Sequence, residues 1–597
     1  MSTRAFTTFG VASSVVLVIA ACGSSGGHGT GTGQDGGGAG ASSGAGASSG
    51  ASSGAGASSG AGASSGASSG DAAGGGVQDA ALIDAPAIPA SLACTLPFGA
   101  VDTSNPTTVV RTCNEATLAA AVKAGGVVTF DCGGPATITL TSALAPPRGM
   151  NTTIDGGGVI TLDGGGATRI LSFSGGGYRT TTTLITLQNL TFQHGYATGT
   201  PIPMASAPCS QGFETDAGGG AVWIEDGKLH VVDCTFTDNT GQTPGPDVAG
   251  GAIYVDGSLG TTIIGSRFAN NTCSNGGAVG SLNSDLAIYT STMDGNTATG
   301  TGQNNTSSMC TTSSTEIGDG GSGGALYMDG GSDGDTTLCG VVMSNNHANA
   351  LGGAIFRVFD DATHNFNIDV STFDSNVADG PVGVDGDGPG AGAFYFHNCD
   401  LNISDSTISN NSSPGCGALQ ADGTVLDLTN DTFSGNTATD GIGGAICIFS
   451  TGGTLTNCTL ANNQALAAPG EDASTYSNYY GAAIFGGNLT VNNTIIANDT
   501  TDNPLGRMAC AGTTAESGSH DVQWPMTKTV GGGTDTPCVT GIMFANPMLG
   551  ALANNGGPTL TIAPAAPSVV QIGTNCPATD QTGAARGSPC TIGALEK

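Results

Sequence analysis

The sequence predicts an all-β chain, a right-handed parallel β-helix with an N-terminal capping helix, and three observations carry that expectation. Charged residues are only 10% of the 597, against about a quarter in an average globular chain, while glycine reaches 102. Few Glu and Lys beside so much Gly and Thr argue against helical bundles and coiled coils. Two short units alternate through the middle of the chain, Phe-x-x-Asn and Gly-Gly-Ala-aliphatic, with a closest spacing of 25 residues. A period in the twenties, built of short strands and glycine turns, is the signature of a solenoid whose coils stack about 4.8 Å apart. The formal charge of −33 with 13 Lys plus Arg excludes a basic nucleic-acid-binding surface.

Residues 1–21 have the form of a signal peptide: Arg4 precedes the apolar run Val15 to Ala21, which is too short to span a membrane. Ile19-Ala20-Ala21-Cys22 resembles a bacterial lipobox. That resemblance implies cleavage before Cys22, acylation of its thiol and anchoring in the outer membrane, the residue after it being Gly23. Residues 22–77 are then a lipidated cysteine and a Gly/Ser/Ala tether that cannot bury a core, spanning roughly 40 Å root-mean-square. A lead-in segment occupies 78–110.

The β-helix is expected over 111–500. Thr112-Cys113-Asn114-Glu115 reads as the cap of a helix from Glu115 to Ala124, ended by Gly125 and covering the open end of the solenoid. Strands are expected at Val127–Phe130, Ile138–Leu140, Thr152–Asp155, Ile160–Asp163, Ile170–Phe173 and Leu184–Leu187. The first unit then recurs as Phe236…Asn239, Phe268…Asn271, Met293…Asn296, Met343…Asn346, Phe373…Asn376, Ile408…Asn411, Phe433…Asn436, Leu460…Asn463 and Ile495…Asn498. The apolar member should stack in the interior. Asn fits a turn, and stacked Asn side chains form ladders. The second unit, as at Gly250 to Ile253 and Gly352 to Ile355, marks corners too tight for a side chain.

Apart from Cys22, 16 cysteines remain, an even number suited to an oxidising compartment. Sequence proximity suggests Cys113 with Cys132, Cys510 with Cys538, and Cys576 with Cys590.

The repeats resemble those of polymorphic outer membrane proteins, within the pectate-lyase-like right-handed β-helix superfamily. The C-terminal region, 501–597, resembles the choice-of-anchor Q domain through Asn546-Pro547-Met548-Leu549-Gly550 to Thr559 and Cys576-Pro577-Ala578-Thr579-Asp580. It departs at Ala566-Pro567-Ser568-Val569-Val570, where that family carries an acid. The resemblance implies a surface-exposed β-helix, a fold that hosts lyases, hydrolases and adhesins alike.

For chemistry, the alternation of a strand sends every second residue after the Gly-Gly-Ala corner outward. Those positions hold Trp223, Tyr254, Tyr327, Phe356, Tyr395 and Phe485, followed two residues on by Glu225, Asp256, Asp329 and His397. Rings beside carboxylates suit saccharide stacking or Ca²⁺-assisted glycan binding. The plainer alternative is structural stacking, with Asp-Gly pairs as ordinary turns. Asp333, Asp335, Asp385 and Asp387 are weak Ca²⁺ candidates in insertions. Val222-Trp223-Ile224-Glu225 resembles part of a pectate-lyase signature but lacks its His, and basic residues in the coils are sparse. The expectation is therefore a lipid-anchored surface protein for adhesion or glycan binding, without catalysis. The alternatives are a Ca²⁺-dependent polysaccharide lyase and a structural envelope component.

Overall fold

The computed structural model describes residues 93–198, 216–243, 245, 248–300, 320–330, 334–359, 363–380, 390–467, 480–502, 507–512 and 516–597. Cys22, Asp333, Asp385 and Asp387 lie outside the described residues, as do the signal peptide and tether.

The chain winds as a parallel β-helix with three sheets. A representative coil runs Ile253–Asp256, Gly260–Ile264, Arg267–Ala269 and Thr272–Cys273, then turns through Gly276-Gly277-Ala278 to begin the next coil at Val279. Its first strand belongs to an 11-stranded corner sheet, the next two to a 26-stranded double sheet, and the last to an 8-stranded narrow sheet. Pairing is parallel and in register from coil to coil: Ile253 stands against Val279, and Phe268 against Met293.

Two columns of left-handed residues bend the chain on either side of the second double-sheet strand. Asp233, Gly265, Thr290, Gly340, Val370, Asp405, Asn430 and Asn457 form one, and Asp238, Asn270, Gly295, Asn345, Ser375 and Asn410 the other. Asn, Asp and Gly dominate because they tolerate this conformation best. The Gly-Gly-Ala corner is steric. A Cβ on Gly353 would stand 2.1 Å from the Gly392 carbonyl oxygen and 2.7 Å from main-chain atoms of Val377.

Inside, the apolar member of the first unit stacks as expected. Phe192, Phe236 and Phe268 lie ring on ring at 4.7 and 4.8 Å, and the column continues through Met293, Met343, Phe373, Ile408, Phe433 and Leu460, all fully buried.

Here the structure corrects the sequence in two respects. Leu460 pairs with Ile496, not Ile495, so the ninth unit is shifted by one and Asp499 rather than Asn498 occupies the repeat position. The repeat asparagines are also not the turn residues; the residue before each takes the left-handed conformation, Asn498 included. The repeat Asn instead turns inward and is fully buried.

Each side-chain amide in this column closes a three-way junction. The Nδ2 of Asn376 donates to Asn411 Oδ1 (2.9 Å) and to the Met343 carbonyl (3.0 Å), while its Oδ1 accepts from the main-chain N and the Nδ2 of Asn346. The same pattern links Asn239, Asn271, Asn296, Asn346, Asn376, Asn411, Asn436 and Asn463. It ends at Asp499, whose Oδ1 accepts from Asn463 N and Nδ2. An amide has both donor and acceptor, so an unbroken ladder satisfies polar groups that burial would otherwise orphan.

A second column follows the first bend. Ser266, Ser291, Ser371 and Ser406 each accept from the main-chain N–H of the preceding coil and donate to the carbonyl two residues upstream.

The N-terminal helix spans Glu115–Ala124, with the Asn114 side chain accepting from Thr117 N and Gly125 at a positive φ. Its Leu118, Ala121 and Val122 enter the solenoid core. Before it, the lead-in segment lies along the double sheet. Cys94 is bonded to Cys339, Phe98 stacks on His230 at 3.9 Å, and Val101 exchanges two hydrogen bonds with Gln188.

Parallel pairing continues past 500, through Cys510–Ala511, Ser517–Ser519, Val522–Trp524 and Met543–Phe544. The chain beyond then folds back over the first bend of the later coils. Gln581 bonds Thr407 and Thr432, Arg586 reaches Asn430, Ala594 N donates to Thr459, and Asn493 bonds Thr574. Ile495 is buried against this segment with Val570 and Ile592.

The three expected disulfides are present: Cys113–Cys132, Cys510–Cys538 and Cys576–Cys590. Cys94–Cys339 and Cys416–Cys447 join them. The even count nevertheless does not mean complete pairing, because Cys234, Cys273, Cys399 and Cys458 are buried free thiols. Burial pushes the Cys234, Cys273 and Cys399 thiols up to about 12, so they are packing atoms rather than nucleophiles.

Candidate functional site

The outer side of the corner sheet brings together the residues singled out from alternation. Register places Trp223 beside Tyr254, Tyr254 beside Gly280, Gly280 beside Tyr327, and then Phe356 and Tyr395 in succession. Tyr327, Phe356 and Tyr395 stack with centroids 5.2 and 5.3 Å apart, their rings nearly parallel. Gly280, which interrupts the row in sequence, has a physical role. A Cβ there would meet the Tyr254 ring at 2.7 Å, so the missing side chain leaves room for that ring.

These aromatics form a hydrophobic cluster of their own, separate from the solenoid interior. Exposure runs from 0% at Tyr254 to 9% at Trp223, so the rings form a covered layer rather than an open platform. Further along, Gln420 and then Cys447 take the row position, Cys447 is bonded back to Cys416 in the coil before, and Phe485 follows beside Cys447.

The second row holds Glu225, Asp256, Leu282, Asp329, Val358, His397 and Asp422 in register. Glu225 is half-buried and accepts from Ser174 Oγ at 2.6 Å. Asp256 is only 6% exposed, and its Oδ1 has no hydrogen-bond partner. Burial, assisted by the neighbouring Glu225 charge, pushes the Asp256 carboxyl up to about 7. Tyr327 donates its hydroxyl to Asp329 Oδ2 at 3.1 Å, and His397 Nδ1 stands 3.6 Å from Asp422 Oδ2.

Sequence reasoning missed Arg169. Its guanidinium lies 5.6 Å from the Trp223 ring centre and donates to the carbonyls of Asp216, Gly218 and Gly219. Burial lowers it to about 10. A lone arginine in the turn before the strand Leu171–Ser174 carries no sequence signal. Asp226 is a turn residue at a positive φ and gathers the main-chain N–H groups of Gly177, Thr180 and Thr181.

Asp335 Oδ1 accepts from Asn365 N, an ordinary inter-coil link. Among the described residues, no group of three or more His, Cys, Asp or Glu is placed to hold a metal ion. Ser519, His520 and Asp521 do not converge. His520 Nδ1 lies 3.2 Å from Ser519 Oγ near the surface, while Asp521 is buried and accepts from Thr494 N.

The insertions share one place of departure. Segments 199–215, 301–319, 381–389 and 468–479 all leave between the narrow-sheet position and the next Gly-Gly-Ala corner, where the chain enters the corner sheet. Neither a known family nor any curated protein matches this chain.

Proposed function

We propose that this chain is a surface-displayed binding protein, a right-handed β-helix that recognises a glycan or another extended polymer without transforming it. One observation carries the reading: the long insertions all leave at the corner that borders the aromatic and acidic rows. In repeat proteins, insertions gathered on one face commonly build the binding face. Aromatic side chains recurring in successive coils suit a ligand that is itself periodic. The buried rings serve as a rigid floor, and Glu225 and the Asp256 carboxyl as hydrogen-bonding groups at its N-terminal end.

Placement outside the cell, through the Cys22 lipid, is supported by the lipobox-like segment and by five disulfides among the described residues. The relation to the choice-of-anchor Q and polymorphic outer membrane protein families is part of the same proposal. A Ca²⁺-dependent lyase is disfavoured by chemistry, since the guanidinium groups beside the row are already engaged: Arg169 by three carbonyls and a ring, and Arg148 by the carbonyl and hydroxyl of Ser174.

The test is a panel of acidic and neutral polysaccharides presented to the full chain with Ca²⁺ or chelator, scored for retention and for unsaturated products. Retention that falls at least tenfold in Glu225→Gln and Asp256→Asn is expected. Ca²⁺-dependent formation of unsaturated product would overturn the non-catalytic reading, and retention unchanged in both variants would move the site elsewhere.

A further inference from the structure

The two polar columns that tie the coils together each change chemistry toward the C-terminus. In the asparagine ladder, every amide up to Asn463 uses Nδ2 to donate to a main-chain carbonyl of the coil before, as Asn463 does to Phe433 O at 3.1 Å. Asp499 takes the next rung. Its Oδ1 does what an asparagine oxygen does, but its Oδ2 replaces the nitrogen, is buried, and has no hydrogen-bond partner.

In the serine column, hydroxyls accept from one coil and donate to a carbonyl two residues upstream. Asp431 and Asp521 stand in that column. Asp431 Oδ1 accepts from Ser406 N at 2.9 Å and Asp521 Oδ1 from Thr494 N at 2.8 Å. In both, Oδ2 is again buried and without a partner. Three times, then, an acid replaces a residue that both accepts and donates, and only the accepting half is matched. Asp535 shows the contrast, receiving donors on both oxygens from Met508 N, Thr536 N, Ala509 N and Gln523 Nε2.

A carboxylate can only accept, whereas a carboxylic acid supplies one donor and so reproduces Ser or Asn. We propose that Asp431, Asp499 and Asp521 are carried as neutral acids that donate as Ser and Asn do elsewhere in their columns, making the C-terminal coils a proton-dependent lock that tightens in acid. Burial and the nearby carboxyls press the same way, against the Arg586 guanidinium held on Asn430 beside Asp431. Around Asp431 stand Asp405 and Asp369, both carboxyls, with the Cys458 thiol beside it; burial is the larger cause and pushes Asp431 well above the usual range. Near Asp499, which burial lifts to about 8, the charged neighbour is Asp535. Asp521 is raised to about 8 by burial, opposed by the hydrogen bond from Thr494. The adjacent His520 turns to Ser519 and Thr574 at the surface.

The sign follows from linkage. The folded pKa values lie above the unfolded value, so the folded chain holds more protons above about pH 4, up to about pH 8 at Asp499 and Asp521. Stability is complete below about pH 4 and declines as pH rises to about 8. Each group contributes up to a tenfold change in the unfolding constant of its coils per pH unit.

The experiment compares the full chain with Asp499→Asn, Asp431→Ser and Asp521→Ser, singly and together, following hydrogen exchange in the C-terminal coils from pH 4 to pH 9. Each substitution should flatten the pH dependence by up to one proton and slow exchange at pH 8 at least tenfold. An unchanged slope in the triple variant, or faster exchange at pH 8 in all three singles, would overturn the proposal. A second readout needs no substitution: infrared difference spectra of the wild type between pH 6 and pH 9 should show buried protonated-carboxyl bands, and their absence at pH 6 would equally overturn it.

Discussion

Replacing Asn376 by Ala removes one rung from the middle of the ladder. The side chain is fully buried, and its loss breaks four hydrogen bonds: two accepted from Asn346, one donated to Asn411 and one to the Met343 carbonyl. Asn411 Oδ1 keeps the Asn376 main-chain N–H, but Asn346 N–H and Met343 C=O lose these partners where both residues are fully buried. At roughly 1–3 kcal/mol for each such buried group, the expected cost is about 4 kcal/mol, before any cavity contribution. Because solenoid coils contact only their neighbours, the loss should be local. Hydrogen exchange should therefore quicken about a thousandfold in the coils containing Asn346, Asn376 and Asn411, while the coil of Asn271 is unchanged. Asn367→Ala serves as control: it removes a half-buried Asn367–Asn402 pair on the outer surface, worth under about 1 kcal/mol. A loss below about 1 kcal/mol at Asn376, or equal effects at both sites, would refute the view that the buried amides hold the coils together.

Three other outcomes are expected. Gly353→Ala should destabilise its coil by about 1–3 kcal/mol, since the added methyl meets main-chain atoms that cannot move independently; exchange in the coils of Ile355 and Phe394 reports it. Cys339→Ser should free the lead-in segment, seen as faster proteolysis near Phe98 with the later coils still protected. His230, lowered to about 4 by burial and then by Lys228, is neutral in the fold; the unfolded chain binds more protons between about pH 4 and pH 6.5, so its contribution is present above that window and lost as pH falls through it. An imidazole titration followed by NMR should find a midpoint near 4, rising toward 6.5 in Phe98→Ala.

The parts legible in sequence are those whose cause is local. Asn114 and Gly125 bounded the helix correctly because capping is a one-turn interaction. The Phe and Gly columns were legible because each coil repeats the same requirement. The shift at Ile496 was not, since Ile495-Ile496 and Asn498-Asp499 satisfy the pattern in either register, and only pairing with Leu460 decides between them. Cys94–Cys339 spans 245 residues and depends on the path of the lead-in segment across several coils, which no spacing rule contains. At the candidate site the row itself was legible from alternation. Its burial was not, because alternation tells which side a residue faces and not what covers that side.

The departures from the repeat fall on two sides of the solenoid, and that separation makes the two proposals independent. The long insertions leave where the chain enters the corner sheet, and that sheet carries the row with Glu225 and Asp256. Asp431, Asp499 and Asp521 belong to the columns flanking the second double-sheet strand, on which the C-terminal chain packs. Substitutions that share no partner add within about 0.5 kcal/mol. A combined Asp256→Asn and Asp499→Asn variant should therefore lose ligand retention as the first does alone and gain alkaline stability as the second does alone. If retention instead followed the state of Asp499, the C-terminal coils would be coupled to the binding face, and the lock would be a switch for binding rather than a device for holding the fold.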